Sequence, residues 1–348
     1  MTSAPICLDE RFSTTRKLFR EKSCGYATLD LNGERMALLS PTSDCRTEGG
    51  LRTRGFTKRD VVSKPLVTVV TVVFNGAQRI ENTIRSVANQ TYDNIEYIII
   101  DGGSTDGTLD IVREFAEGID YWVSERDRGI YDAMNKGINA ANGEWINFMN
   151  SGDTFCSKES VADTVKEFSE ARVYYSDTIF YFEQGANCYC RKVSCDVRKY
   201  QFIHQSCIYR KQLHSIYGQY MVAAGVTVSD YLFFRCIPAE DWHKTKTVIS
   251  RYLVGDNVSS GRRHKEQVYG TSLLLGSRSI YGAFASYLYG SLRSGVRRIE
   301  KFVLGANRYS MIFENYLEVD RKKFWQDIIG DVEQGPATVQ PTTGEVGK

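Results

Sequence analysis

From residue 65 to residue 149 the chain alternates between continuous apolar runs and stretches with helical period. "LVTVVTVVF" (66–74) is a β-branched run without polar alternation, the pattern of a parallel strand buried on both faces. Ile80, Ile84, Val87 and Ala88 then recur at the spacing of one helix face. "IEYIII" (95–100) predicts a second strand, and Leu109, Val112 and Phe115 predict a second helix after a Ser104-Thr105 cap signal. "YWVS" (121–124) reads as a third strand. Ile130, Ala133, Met134, Gly137, Ile138 and Ala141 mark a third helix, and "EWINFM" (144–149) a fourth strand. With right-handed crossovers this βαβαβαβ order gives an α/β fold: a doubly wound, mostly parallel sheet with helices on both faces. Ligands of such sheets bind beyond the C-terminal strand ends. Asn75, Asp101 and the segment after Phe148 are therefore expected to line one crevice.

The same patterning divides the chain. Residues 1–64 are a polar N-terminal extension of unknown role, with two Gly-punctuated stretches, "YATLDLNGERMALL" and "GGLRTRGF", that read as short strands. Residues 65–260 form the α/β domain, 261–330 a basic helical region, and 331–348 a tail without apolar periodicity that reads as disordered.

Composition narrows the class. The chain has 348 residues, 42% hydrophobic and 25% charged, in the range of ordinary globular protein. Its formal charge of +2 argues against a whole-molecule grip on nucleic acid. Nine scattered cysteines, an odd number, point to reduced thiols and a cytoplasmic setting, and Cys188, Cys190 and Cys195 lack zinc-ribbon spacing. "MTSAPICLDERF" places acidic residues where a signal peptide needs an apolar core. The fourteen uncharged residues "SIYGAFASYLYGSL" are too few to span a bilayer.

The crevice chemistry is set by what the first turn lacks. "FNGAQR" has no G-x-G-x-x-G, and no G-x-x-x-x-G-K-[ST] loop occurs anywhere, which excludes the usual dinucleotide and P-loop sites. Asp101 ends the second strand, where a carboxylate can accept hydrogen bonds from a base or ribose. Asp153, in "MNSGD", stands past the fourth, and one carboxylate suits a hard divalent cation held against a diphosphate. Each motif is equally readable as a tight turn with a helix cap.

"PLVTVVTVVFNG", "SVANQTYDNIEYIIIDGGSTDGT", "SERDRGIYDAMNKGINAANGEWINFMNSGD", "HQSCIYR" and "SDYLFF" resemble, in order and spacing, the successive blocks of family 2 glycosyltransferases with the GT-A fold. The bacterial branch that builds exopolysaccharide, capsule and O-antigen is the most similar. The resemblance covers residues 65–260 and implies a nucleotide-sugar half (65–155) and an acceptor half (156–260). It implies an inverting enzyme that takes a nucleotide-sugar and Mg2+ or Mn2+. Phe74 and Asn75 would lie at the nucleobase, Asp101 would bind base or ribose, and Ser151 and Asp153 would stand at the family's D-x-D type element, with Asp153 the metal ligand. Asn150 and Gly152 replace carboxylates found in many relatives. Arg128 and Asp132, at the start of the third helix, are further donor-site candidates, although "SERDR" also reads as a solvated loop.

In the second half the resemblance gives Asp230 the role of general base, while its position before "YLFF" reads equally as a helix cap. His204 and Gln205 match an acceptor-side pair. Between Arg262 and Arg308, nine Lys or Arg stand against Glu266 and Glu300, and Phe284, Leu288, Leu292, Val296, Ile299 and Val303 recur at helical spacing. Such a helix packs on the enzyme's own core or lies on an anionic membrane surface. The family context, in which lipid-linked acceptors are glycosylated at the cytoplasmic face, favours peripheral attachment. A nucleotide-sugar binding or scaffold protein is the alternative to an enzyme, because the metal element is thinned to one carboxylate.

Overall fold

The computed structural model describes residues 5–20, 39, 46–61, 63–184, 187–197, 201–254, 266–268, 270–271, 317–320 and 324–325. Its strands are β1 (Phe19–Arg20), β2 (Thr47–Gly49), β3 (Phe56–Thr57), β4 (Val67–Val73), β5 (Ile95–Asp101), β6 (Tyr121–Ser124), β7 (Trp145–Phe148), β8 (Thr154–Phe155), β9 (Val173–Tyr175), β10 (Thr178–Gln184), β11 (Asn187–Val193), β12 (Cys207–Arg210), β13 (Trp242–Lys244), β14 (Ser250–Leu253) and β15 (Leu317–Asp320). The helices that matter below are α1 (Ile80–Ala88), α2 (Thr108–Glu114), α3 (Ile130–Ala140), α4 (Ser160–Lys166), α5 (Leu213–Tyr217) and α6 (Ser229–Arg235).

Among the described residues the main sheet runs β13-β9-β12-β7-β4-β5-β6-β2. The four strands read from the apolar runs, β7-β4-β5-β6, are its parallel centre. β12 joins β7 antiparallel and β9 joins β12 antiparallel, so the sheet is mixed beyond the region where pattern predicts it. Every residue of β4 and β5 is buried because both faces are covered. Val67, Val69 and Ile99 pack with Ile80, Ile84 and Val87 of α1, Val112 of α2 and Val161 of α4. Val70, Val72 and Ile100 pack with Met134 and Ile138 of α3 and Phe233 of α6 on the other face.

The N-terminal extension does not stand apart from this domain. β2 pairs antiparallel with β6 and forms the edge of the main sheet. Arg52 is fully buried, 2.5 Å from Glu96, and donates to the Ala140 carbonyl at 2.7 Å. Lys58, equally buried, lies 3.2 Å from Asp120, which accepts from the Tyr97 amide at 2.7 Å. Glu96 also accepts from Thr68 Oγ1 at 2.6 Å and the Asn142 amide at 2.7 Å. Two cations and two carboxylates thus close on one another at the N-terminal ends of β4, β5 and β6. "GGLRTRGF" is strand only at its two ends, with a 3-10 turn (Arg52–Arg54) between. "YATLDLNGERMALL" lies outside the described residues apart from Leu39.

A second sheet, β15-β11-β10-β14-β8, lies against the domain's later half. β15 and the pair Phe324 and Trp325, which packs on Tyr181, bring part of the 261–330 region into this sheet. The basic amphipathic pattern of 262–308 and the 331–348 tail fall almost wholly outside the described residues. Among the described residues no helix is long and apolar enough to cross a membrane.

Candidate active site

The C-terminal ends of β4, β5 and β7 open into a cleft of about 830 Å3. Its floor is built by two loops stitched together. Asn75 takes a left-handed backbone (φ 51°), which Asn tolerates better than most residues. Its amide donates to Ser104 Oγ at 2.7 Å and its Oδ1 accepts from the Thr105 amide at 2.9 Å. The Gly76 amide donates to Thr108 Oγ1 at 2.9 Å and the Ala77 amide to Asp106 at 3.0 Å. The predicted Ser104-Thr105 cap is therefore displaced: α2 begins at Thr108, whose amide and hydroxyl donate to Asp106. Phe74 and Asn75 are exposed and line the cleft, as expected.

Asp101 has a different place. It is buried and does not line the cleft. Its oxygens accept from the Gly103 and Ser104 amides at 3.2 and 3.0 Å and from the Ser104 and Ser124 hydroxyls at 2.5 and 2.6 Å. The direct base contact expected of it is replaced by a structural task, fixing the loop on which Asn75 rests. Arg128 and Asp132 are likewise outside the cleft lining. They pair with each other at 2.7 Å, one helical turn apart, and Asp132 also accepts the Arg128 amide at 3.0 Å. Both were expected at the donor, yet their charges are spent on the start of α3.

After β7 the chain turns through Asn150, Ser151, Gly152 and Asp153. Gly152 takes φ 99°, a conformation that strains other residues. Its amide donates to Thr83 Oγ1 at 3.0 Å, and its carbonyl accepts from the Tyr181 hydroxyl at 2.5 Å. Asp153 is 4% exposed yet lines the cleft. Its carboxylate accepts from Gln205 Nε2 at 2.6 Å and the Leu253 amide at 2.9 Å. Burial raises its carboxyl to about 7, and those two hydrogen bonds only partly oppose the rise. Around it Asn150 Oδ1, Ser151 Oγ and Gln205 Oε1 are buried without a hydrogen-bond partner.

The far wall comes from the second half. The turn His204–Ser206 follows an extended Ile203 and carries two cleft residues. His204 Nδ1 lies 2.8 Å from Asp230 Oδ2, and its Nε2 lies 3.1 Å from Asn150 Nδ2. An Nδ1–H tautomer satisfies both contacts, donating to Asp230 and accepting from Asn150. Tyr131 donates to Asp230 Oδ1 at 2.6 Å. The helix-cap reading of Asp230 does not describe this arrangement: Val228 is the N-cap of α6 without a side-chain capping bond, and both Asp230 oxygens face the cleft cluster. Burial pushes the Asp230 carboxyl up, but the hydrogen bonds from His204 and Tyr131 hold it below the usual range. Gln205, expected on the acceptor side, instead touches Asp153, so His204 and Gln205 join the two walls.

Among the cleft residues not expected from sequence are Arg79, Asp106, Asp127 and Tyr131. Tyr131 follows Ile130 on the start of α3, and its signal was only its place beside the strand ends. Asp127 accepts from the Gly129 amide at 2.9 Å, and burial raises its carboxyl. Asp106, Asp127, Asp153 and Asp230 thus line a cleft to which Arg79 brings the one Lys or Arg among the described lining residues. An anionic ligand entering it needs further positive charge. One carboxylate, two amide oxygens and a hydroxyl are the hard oxygen donors that Mg2+ or Mn2+ accepts, and three of the four have no other partner.

Residues 68–225 match the family model described as Glycosyl transferase family 2. An uncharacterized glycosyltransferase of Mycobacterium tuberculosis is 41% identical over 110 residues, which are 31% of this chain and 42% of that protein. The chain therefore spans less than half the length of that relative. A PGL/p-HBAD biosynthesis glycosyltransferase of Mycobacterium bovis is 27% identical over 201 residues, 55% of this chain and 75% of that one. Among solved structures, the mannosyltransferase PcManGT of Pyrobaculum calidifontis, in complex with GDP-Man and Mn2+, is 16% identical over 72% of this chain and 79% of its own, with a TM-score of 0.49.

Proposed function

We propose that the protein is an inverting glycosyltransferase that moves one sugar from a nucleotide-sugar to a glycan or polyprenyl-diphosphate-linked acceptor in bacterial surface polysaccharide synthesis, at the cytoplasmic face of the membrane. The observation that carries this reading is that one cleft holds the Asp153 turn on one wall and the Tyr131–Asp230–His204 cluster on the other, with Asn150 bonded across to His204. The donor's base rests by Phe74 and Asn75, its diphosphate by Ser151 and Asp153, and the acceptor hydroxyl by Asp230.

Asp153, with the oxygens of Asn150, Ser151 and Gln205, would hold Mg2+ or Mn2+. When bound, the cation supplies positive charge against the donor diphosphate in a cleft otherwise rich in carboxylates. Asp230 is ionised at neutral pH because its neighbours stabilise the charged form, and each oxygen keeps a lone pair beyond those used by Tyr131 and His204. In a single displacement the acceptor oxygen bonds to the anomeric carbon as its proton passes to Asp230. The anomeric C–O bond to the diphosphate breaks, and its electron pair leaves with the nucleoside diphosphate. Tyr131 and His204 orient the base.

A binding or scaffold role is favoured by one observation, that both Asp153 oxygens are already hydrogen-bonded. Incubation with a panel of labelled nucleotide-sugars, with and without Mn2+, separates the readings. Metal-dependent release of nucleoside diphosphate is expected. Saturable binding with no release for any donor would support the scaffold instead. Asp153→Ala should abolish the metal-dependent part of nucleotide binding in calorimetry and leave the melting transition cooperative; unchanged affinity with metal present would remove Asp153 from the metal site.

A further inference from the structure

The cleft contains a cation, Arg79, whose charge acts on Asp153 but whose side chain makes no hydrogen bond or ion pair among the described residues. Arg79 is the N-cap residue of α1, and its backbone amide donates to the Gly76 carbonyl at 2.9 Å. Its side chain is exposed, lines the cleft, and has no hydrogen-bond or ion-pair partner among the described residues. Of the other arginines near this end of the sheet, Arg128 pairs with Asp132 and Arg85 with Glu81. The Arg79 stem runs over the Asp153 turn. A Cβ built on Gly152 would lie 3.4 Å from Arg79 Cδ and 2.9 Å from Leu253 Cδ2, so the missing side chain at 152 is the space the arginine crosses. On the same wall, Ser151 Oγ is buried without a partner.

We propose that Arg79 is the side chain that grips the diphosphate of the nucleotide-sugar, setting its planar donors against phosphate oxygens above the Ser151–Asp153 turn. This rests on the reading of the cleft as a nucleotide-sugar site and adds to it the one Lys or Arg among the described lining residues, a charge that offsets the carboxylates without a metal. Four aspartates face the cleft, and a diphosphate brings more negative charge, so a guanidinium beside Asp153 with no hydrogen-bond or ion-pair partner among the described residues is placed to meet it. Arg is suited to this task because it presents donors in a fixed fork and keeps its charge at every relevant pH. A lysine would supply charge without the fork. The position next to Phe74 and Asn75 in sequence ties phosphate recognition to the same loop that meets the base.

The test measures binding by calorimetry for UDP, GDP, uridine and guanosine, with Mn2+ present, to the full chain and to Arg79→Ala and Arg79→Lys. Because the side chain is exposed, both variants should melt with the native protein. Arg79→Ala is expected to weaken the preferred nucleoside diphosphate by about 10- to 100-fold, the weight of a hydrogen bond to a charged group, and to leave the nucleoside unchanged. Arg79→Lys should recover part of the loss. Equal loss for diphosphate and nucleoside would show that Arg79 acts through the loop and would overturn the proposal. So would undiminished diphosphate binding, or a defect confined to the KM of a diphosphate-linked acceptor. If the native chain binds none of the four with either Mn2+ or Mg2+, the reading of the cleft itself fails, a result distinct from failure at Arg79.

Discussion

The two ends of the central sheet are built on opposite electrostatic plans. At the N-terminal strand ends, Arg52, Lys58, Glu96 and Asp120 are all buried and each cation faces a carboxylate. At the C-terminal ends, four aspartates share one arginine, and Asn150 Oδ1, Ser151 Oγ and Gln205 Oε1 have no partner. In the first arrangement each buried charge meets an opposite charge within the protein, although Asp120 Oδ1 also lacks a hydrogen-bond partner. The second is complete only with a ligand that brings cations and hydrogen-bond donors. Burying charge has comparable cost at either end, so it is the difference in charge balance that marks the cleft as the place where a ligand is met.

Substitutions at each end should therefore fail in different ways. The largest effect is expected for Asp230→Asn, which keeps shape and hydrogen-bonding reach but cannot take a proton. Turnover at saturating acceptor should fall by about 100- to 10,000-fold, with melting temperature and donor affinity nearly unchanged. Near-normal turnover would move the base to His204. At the other end, Arg52→Met leaves Glu96 buried without its cation and should cost about 3–5 kcal/mol in urea denaturation, while the activity of the folded fraction is preserved. An activity loss beyond the loss of folded protein would mean that the two ends are coupled.

The pH dependence of that end is smaller. Burial raises the Asp120 carboxyl to about 6, despite Lys58, so the folded chain holds a proton that the unfolded chain releases near pH 4. Its contribution is full below that pH and is lost as pH rises through 6. The stability of the native protein relative to Asp120→Asn should thus fall by at most about 3 kcal/mol between pH 4 and pH 7. A flat difference across that range would show that Lys58 neutralises Asp120 fully. The smallest effect is expected at Phe74, 65% exposed on the cleft rim. Phe74→Ala should weaken nucleosides and nucleoside diphosphates alike by about 2- to 10-fold, if its ring meets the base. A loss limited to diphosphates would contradict that placement.

The contrast also explains what could be read from sequence. β4, β5, α1 and α3 were legible because their apolar positions repeat locally, as Ile80, Ile84 and Val87 do. The convergence of Asn75 and Asp153 followed from topology alone. The buried N-terminal charges were not legible, since Arg52 and Lys58 look like surface residues until Glu96 and Asp120 are brought to them across the sheet. Asp101 drew attention as a strand-end carboxylate, but its partners Ser104 and Ser124 include one from the next strand, which pattern does not reveal. Arg128 and Asp132 were visible as charges and not as a pair. Arg79 carried no signal, because an arginine at a helix start is unremarkable until its surroundings show four aspartates.

One contact has a bearing on how the enzyme comes into being. The turn that presents Asp153 is held by Tyr181, and Tyr181 packs against Phe324 and Trp325, beside the strand at Leu317–Asp320. Translation delivers those pieces after the cleft's own described residues, the last of which is Val268. A nascent chain can shape the central sheet early, yet the support behind the Asp153 turn arrives only with residues 317–325. Frameshifts and stop codons well downstream of every cleft residue named here would thus leave a protein with an intact site on paper and an unbraced one in the cell.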